Sequence, residues 1–179
     1  MRVGQAGDVI VRQETLADVP AARAVQVAAF RRPDARGEPV EARLLDSLRV
    51  CDGWIPALSI VVELDSRIVG HVVTTRAYVE TTPALGLGPI GVLPSHQGRG
   101  IGLALMHATI GAADALGEPL IGLLGSPDYY RRFGFIASDT VGVSAPEPVW
   151  GPYFQVRTLT LHRPDIRGTF TYARPFDEI

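Results

Sequence analysis

Apolar residues along this chain change their spacing several times, and each change marks an element. Val9-Ile10-Val11 is a short continuous apolar run and reads as an opening strand. Thr15 or Asp18 can cap a first helix, in which Ala21, Val25, Ala28 and Ala29 recur at helical spacing as far as Phe30. The polar stretch 31–37 carries Pro33 and Gly37 and reads as a loop. A second helix starts near Pro39, with Val40, Leu44, Leu45 and Leu48 as its stripe. Ser59 to Leu64 and Ile68 to Val79 are β-branched runs joined by Asp65-Ser66, which predicts an antiparallel hairpin broken by Thr81-Thr82-Pro83.

The next run, Leu85 to Val92, is apolar but interrupted by Gly86, Gly88, Pro89 and Gly91. Pro has no amide hydrogen to donate and Gly weakens a strand, so this one is expected to bulge or splay from its neighbour. Pro94 ends it. Gly98 to Leu116 is the strongest helical pattern, with Ile101, Leu105, Ala108, Ala112 and Leu116 as its buried stripe and Gly117 as its stop. Leu120 to Leu124 has the continuous apolar character of a strand covered on both faces. A helical turn over 128–133 comes next, then Gly134-Phe135. A Pro-rich stretch runs from Ser144 to Pro152. Val156 to Leu161 alternates, and Thr169 to Tyr172 adds a terminal strand. Strands, a crossover helix and a return strand predict an α/β or α+β fold with six or seven strands.

The chain has 179 residues, which suits a single domain with a real core. Its 17 cations against 19 anions give a net charge of −2, so no polyanion-binding surface, and no nucleic-acid partner, is expected. Every cation is Arg: the chain contains neither Lys nor Asn. That excludes a P-loop, a protein kinase site and Schiff-base chemistry, each of which needs a Lys. The single Cys51 rules out an intramolecular disulfide and a Cys-rich zinc site, and the four histidines lie far apart without a metal-ligand spacing. No metal is expected. Nor does any apolar run have the length of a signal peptide or membrane span, so the expected setting is cytoplasmic, with no membrane partner.

Two glycine patterns compete for a phosphate-bearing ligand. Gly86-Leu-Gly88-Pro-Ile-Gly91 satisfies the dinucleotide fingerprint in letters only, because it leads into Val92-Leu93-Pro94 rather than opening a helix. Gln97-Gly98-Arg99-Gly100-Ile101-Gly102 has the right setting, between a strand and the strongest helix. Positions without side chains let backbone N–H groups converge, and the helix start adds about half a positive charge. Such a loop can hold a diphosphate without any Lys, and Arg99 can add a charge at its rim.

Here the chain resembles a known family. Val92 to Gly102 is similar to the strand, loop and helix start of the GNAT N-acetyltransferases, whose signature is Q/R-x-x-G-x-G/A. Tyr129-Tyr130-Arg131-Arg132-Phe133-Gly134-Phe135 resembles that family's aromatic-x-x-aromatic-Gly-Phe segment. The likeness covers residues 9–136; residues 137–179 contribute C-terminal strands and the Pro-rich loop.

The resemblance implies a single-domain GNAT-like fold: a mixed, mostly antiparallel sheet with splayed central strands and flanking helices. It implies acetyl-CoA as co-substrate, its diphosphate on the amides of residues 97–102 and its pantetheine arm along Ile90, Gly91 and Val92. The reaction is then direct attack of a small-molecule or peptide primary amine on the thioester. Tyr130, four residues before Gly134, stands where the family's proton-donating tyrosine falls, with Tyr129 as runner-up. Glu41, Glu63, Glu80, His71 and His96 are the conceivable bases. Many relatives carry an Asn where this chain reads Gly125-Ser126-Pro127-Asp128. Cys51 reads as packing rather than as an acylated intermediate. The acceptor is expected to meet the 31–38 loop and the 144–152 stretch, with Trp150 and Tyr153 available to line its cleft. The alternative from another class is a CoA-binding sensor that keeps the fold without the chemistry.

Overall fold

The computed structural model describes residues 9–34 and 36–178. In chain order its elements are β1 (Val9–Gln13), α1 (Val19–Phe30), α2 (Val40–Arg49), β2 (Ser59–Leu64), β3 (Arg67–Val79), β4 (Thr82–Val92), α3 (Ile101–Ala115), β5 (Leu120–Leu124), α4 (Pro127–Tyr130), β6 (Ile136–Ala137), β7 (Val143–Ser144), β8 (Phe154–Thr158) and β9 (Gly168–Thr171). The main sheet runs β1-β2-β3-β4-β5-β8-β6, seven strands as expected, and two short ones extend it: β9 pairs with β3 at Tyr78 and Val79, and with β7. Only β4–β5 is parallel within the main path, so this is an α+β fold with a mixed, mostly antiparallel sheet.

Helix α1 lies against β3 and β4, and α2 packs beside it. The other face is covered by α3, whose Ile101 and Leu105 pack where Gly70 leaves β3 bare. The largest core cluster joins Ile60, Val62, Val72, Leu85 and Leu87 to α3 and to Phe133 and Phe135. A second core, which the apolar pattern alone does not announce, is aromatic: Phe154, Phe170 and Tyr172 pack on Ala77, Ala84 and Leu120.

Several boundaries move for physical reasons. The break expected at 81–83 is only a tight turn, and β4 already begins at Thr82 with Pro83 exposed on it. α3 starts at Ile101 rather than Gly98, because Gly98 and Gly100 take left-handed backbone at φ of 73° and 83°. Its buried residues are Ile101, Leu105, Met106, Thr109 and Ala113, while Leu116 is exposed. In α1 the buried residues are Ala22, Val25 and Gln26; Val25 is in the expected stripe, whereas Ala21, Ala28 and Ala29 are only partly buried. A hydrogen-bonded glutamine stands there in place of an apolar residue. Among the described residues no helix is long and apolar enough to cross a membrane.

Candidate functional site

The site begins where the sheet opens. β4 and β5 pair only at Leu85–Ile121 and Gly86–Gly122, and beyond that point the two strands part. On its other side β4 stays joined to β3 as far as Gly70–Val92, with a bulge where Gly88 and Pro89 face the single residue Val73. The splay and the bulge are consequences of the composition of β4, since Pro89 offers no N–H to a neighbour. Among the described residues, this edge of β4 is left without a strand partner from Leu87 to Val92, as a peptide-like ligand requires if it is to add to a sheet.

A cleft of about 600 Å³ occupies the gap. Its wall is built from Ile90, Gly91 and Val92 on β4, from His96, Gln97, Gly98 and Gly100 in the loop, and from Gly102 and Leu103 on α3. Tyr129, Tyr130 and Arg132 face them from the α4 side, and Ala29 and Phe30 close it from α1. The loop motif, β4 and the double tyrosine, far apart in sequence, therefore meet in one place. Two expected residues stand apart from the wall. Arg99 is exposed outside it, and Ile101 turns its side chain into the core against Gly70, leaving only its backbone at the site. Ala29, Phe30, Leu103 and Arg132 were missed by sequence reasoning. Arg132 carried a local signal, three residues after Tyr129, but the α1 contacts depend on tertiary packing.

The glycines of the loop serve distinct ends. At Gly98 and Gly100 a Cβ would meet nothing within 4 Å, so space is not the issue; their left-handed φ is. Gly102 has ordinary helical backbone, but a Cβ there would lie 2.9 Å from the Tyr129 hydroxyl. Ala104 N–H bonds Gly100 O at 3.0 Å. The helix-start donors before Ala104 have no intrahelical acceptor, so they are free for an anion. The Gln97 side chain is turned back to the strand: its Nε2 donates to Val92 O at 3.1 Å and ties the loop to the end of β4.

Tyr130 lies with its ring against Gly125, edge-on to Tyr129 at 4.9 Å between centroids and to Phe135 at 5.9 Å. Burial pushes its phenol up to about 12, with the neighbouring Tyr129 adding to the shift. Tyr129 is also raised by burial, opposed by Arg132, whose guanidinium stacks 5.0 Å from its ring. Both phenols are therefore protonated at neutral pH.

Of the five conceivable bases only His96 lines the cleft, and its Nδ1 is 2.8 Å from Ser95 Oγ. Glu63 is held by Arg12 at 2.8 Å, and Glu80 accepts from Thr169 N–H at 2.6 Å near the far end of β3. Glu41 sits on α2 away from the wall. His71 is fully buried. The Gln26 amide donates to His71 Nδ1 at 2.9 Å, which places the ring proton on Nε2, 3.0 Å from Ser59 Oγ. Ser59 in turn hydrogen-bonds Glu14, and Glu14 is clamped by Arg49 at 2.5 and 2.9 Å. A Ser, a His and a Glu are thus adjacent, but this is no nucleophilic triad. The serine proton is given to the carboxylate, the imidazole is a donor, and solvent cannot reach the group. Burial lowers the His71 pKa against the pull of Glu14, so the ring is neutral.

Cys51 is half-buried in the small cluster formed with Trp54, Ala173 and Phe176, not in the cleft. Trp150 packs in the aromatic core against Phe154 and Tyr172 rather than in the cleft wall, and Tyr153 is exposed. Among the described residues no three His, Cys, Asp or Glu side chains cluster as metal ligands.

Known proteins share both sequence and shape with this chain. Residues 56–137 match an acetyltransferase (GNAT) domain. The uncharacterised N-acetyltransferase YjhQ of Escherichia coli K12 is 33% identical over 150 residues, spanning 79% of this chain and 82% of YjhQ. A GNAT family acetyltransferase from Brucella melitensis, solved in complex with acetyl-CoA, superposes with a TM-score of 0.76 at 31% identity, covering 96% of this chain and 99% of that one. The Escherichia coli protein YhbS, solved with CoA, has the same fold at a TM-score of 0.83 and 24% identity, over 99% of this chain and 96% of its own. With the fold, the splayed strands and a relative of this identity in agreement, the chain belongs to the GNAT family of N-acetyltransferases.

Proposed function

We propose that the protein binds acetyl-CoA in the β4–β5 cleft and transfers its acetyl group to a primary amine. The observation that carries this reading is the junction of β4 and α3: a strand edge without a partner leads directly into a left-handed glycine loop at a helix start. The first suits an amide-bearing arm, the second a diphosphate, in the order in which CoA presents them. Complexes of the Brucella melitensis relative with acetyl-CoA and of YhbS with CoA support it.

In this reading the backbone N–H groups at the start of α3 take the diphosphate, and the free edge of β4 from Ile90 to Val92 pairs with the pantetheine amides. A β4 N–H polarises the thioester carbonyl, an interaction worth about 3 kcal/mol where such donors have been removed from other enzymes. The neutral amine attacks the carbonyl carbon, forming the C–N bond, and the C–S bond breaks with its electron pair on sulfur. Tyr130 O–H faces the departing thiolate. A phenol raised to about 12 is a stronger hydrogen-bond donor than proton donor to such a sulfur. The ammonium formed at the attacking nitrogen is the more acidic group, so the proton the nitrogen sheds balances the one the sulfur takes. His96 is the one wall residue placed to pass it through water.

The test is release of free thiol from acetyl-CoA on addition of an amine library. Amine-dependent thiol with an acetylated product is the expected result. Tight CoA binding without thiol release from any amine would instead make this chain a CoA-binding module.

A further inference from the structure

Four glycines border the point where β4 and β5 part; an aromatic ring fills the place of the missing side chain at three of them and lies in van der Waals contact at the fourth, Gly88. A Cβ at Gly86 would lie 2.5 Å from the Tyr172 ring, and one at Gly122 would lie 2.6 Å from Phe170. A Cβ at Gly88 would be 3.8 Å from Phe176, and Gly125 is covered by Tyr130. Three of these rings come from the C-terminal segment beyond residue 137, outside the matched acetyltransferase domain. They form one stack: Phe170 to Tyr172 is 4.8 Å and Tyr172 to Phe176 is 4.6 Å between centroids.

The stack is anchored on both sides. β9 holds Phe170 opposite Val79 on β3, and Phe176 is seated in the cluster of Leu44, Leu45, Leu48 and Val73. Moving down β4 from the cleft, the wall ends at Ile90; next comes Gly88 under Phe176, then Gly86 under Tyr172. The inner end of the gap, where β4 and β5 pair, is therefore covered by packed rings rather than left open as a channel. Interiors packed this closely do not admit even a few extra methylenes without displacing side chains.

We infer that Tyr172 and Phe176 set the acyl-chain length of this enzyme, stopping the cleft so that a two-carbon acyl group fits and a four- or six-carbon group does not. This rests on the proposed acetyl-CoA site and adds its donor specificity. Tyr172 and Phe176 are specificity residues here, not catalytic ones.

Calorimetry with CoA, acetyl-CoA, butyryl-CoA and hexanoyl-CoA tests it without knowledge of the acceptor. Wild-type protein is expected to bind acetyl-CoA at least as tightly as CoA, and butyryl- and hexanoyl-CoA at least tenfold more weakly. Phe176→Ala and Tyr172→Ala are expected to narrow that gap to threefold or less while leaving the Kd for CoA itself unchanged. Phe176 is only partly buried and gives a readable variant should Tyr172→Ala not fold. Equal wild-type affinity for the three acyl-CoAs overturns the inference, as does an unchanged gap in the folded variants. Failure of CoA itself to bind removes the cofactor reading first, and is distinguished by the absence of heat from all four ligands.

Discussion

Gly98 and Gly100 are glycines for conformational reasons alone: their backbone is left-handed and the space beside them is empty. A Cβ in that conformation costs roughly 1–2 kcal/mol. Gly98→Ala and Gly100→Ala should each lower stability by about that amount in thermal denaturation and weaken CoA binding more than tenfold in calorimetry. Gly91 is the opposite case. Its φ is unremarkable, but a Cβ there would lie 2.7 Å from Gln26 Oε1 and 3.0 Å from Ala29 Cβ. Gly91→Ala should therefore push β4 from α1 and weaken CoA binding through displacement rather than local strain. For Tyr130, loss of the hydroxyl alone is the informative change. Tyr130→Phe, which removes the hydrogen bond to the departing sulfur, should reduce turnover by about 10²-fold with little change in the Kd for CoA. Turnover equal to wild type would take Tyr130 out of the chemistry.

At the scale of elements, β2, β3, α1 and α2 are tied together by one buried polar chain, Gln26–His71–Ser59–Glu14–Arg49. Burial alone would raise the Glu14 pKa, yet the His71 N–H 3.7 Å away and the hydrogen bonds from Arg49 and Ser59 outweigh it and hold the carboxyl at about 2. Both Glu14 and His71 bind protons less readily folded than unfolded. Stability is therefore complete above pH 6.5 and declines on acidification. It falls first as unfolded His71 protonates near 6.5, then more steeply between about 4.5 and 2 as unfolded Glu14 does. Urea titrations across this range should show that decline. Glu14→Gln should shrink the lower step to the part left by Asp18, whose carboxyl Arg12 also holds down, and, by leaving Arg49 without its counter-ion, cost roughly 3 kcal/mol at neutral pH. Much of this architecture is legible in the sequence. The glycine loop and the splayed strand announce themselves because each breaks a local rule of strand or helix, whereas the double tyrosine is picked out only by its likeness to the GNAT segment. The polar chain does not, since Glu14, Gln26, Ser59 and His71 are spread over 58 positions and no periodicity connects them. The start of α3 is misplaced by pattern reading for a related reason: apolar spacing reveals a helix, but not that two glycines before it turn left-handed.

For the molecule as a whole, the C-terminal third is the least legible part. Phe154, Phe170, Tyr172 and Phe176 look like scattered aromatics in sequence and become a second core only when β9 returns to β3 and β8 joins β5. The fold thus places the cleft between two cores, one aliphatic under α3 and one aromatic under the C-terminal segment. The cleft wall packs on the aliphatic core through Ile90, Val92, Tyr129 and Tyr130, so a ligand seated there should stabilise the whole chain. CoA at a hundred times its Kd should add about 2.7 kcal/mol to unfolding, while NAD should add nothing, since the Gly86–Gly91 pattern lies within β4 and opens no helix. The most direct test is a crystal structure with acetyl-CoA. The account predicts diphosphate oxygens within about 3 Å of backbone nitrogens at the start of α3, and the thioester between β4 and Tyr130. Phosphates bound elsewhere, with those nitrogens facing only water, would contradict it.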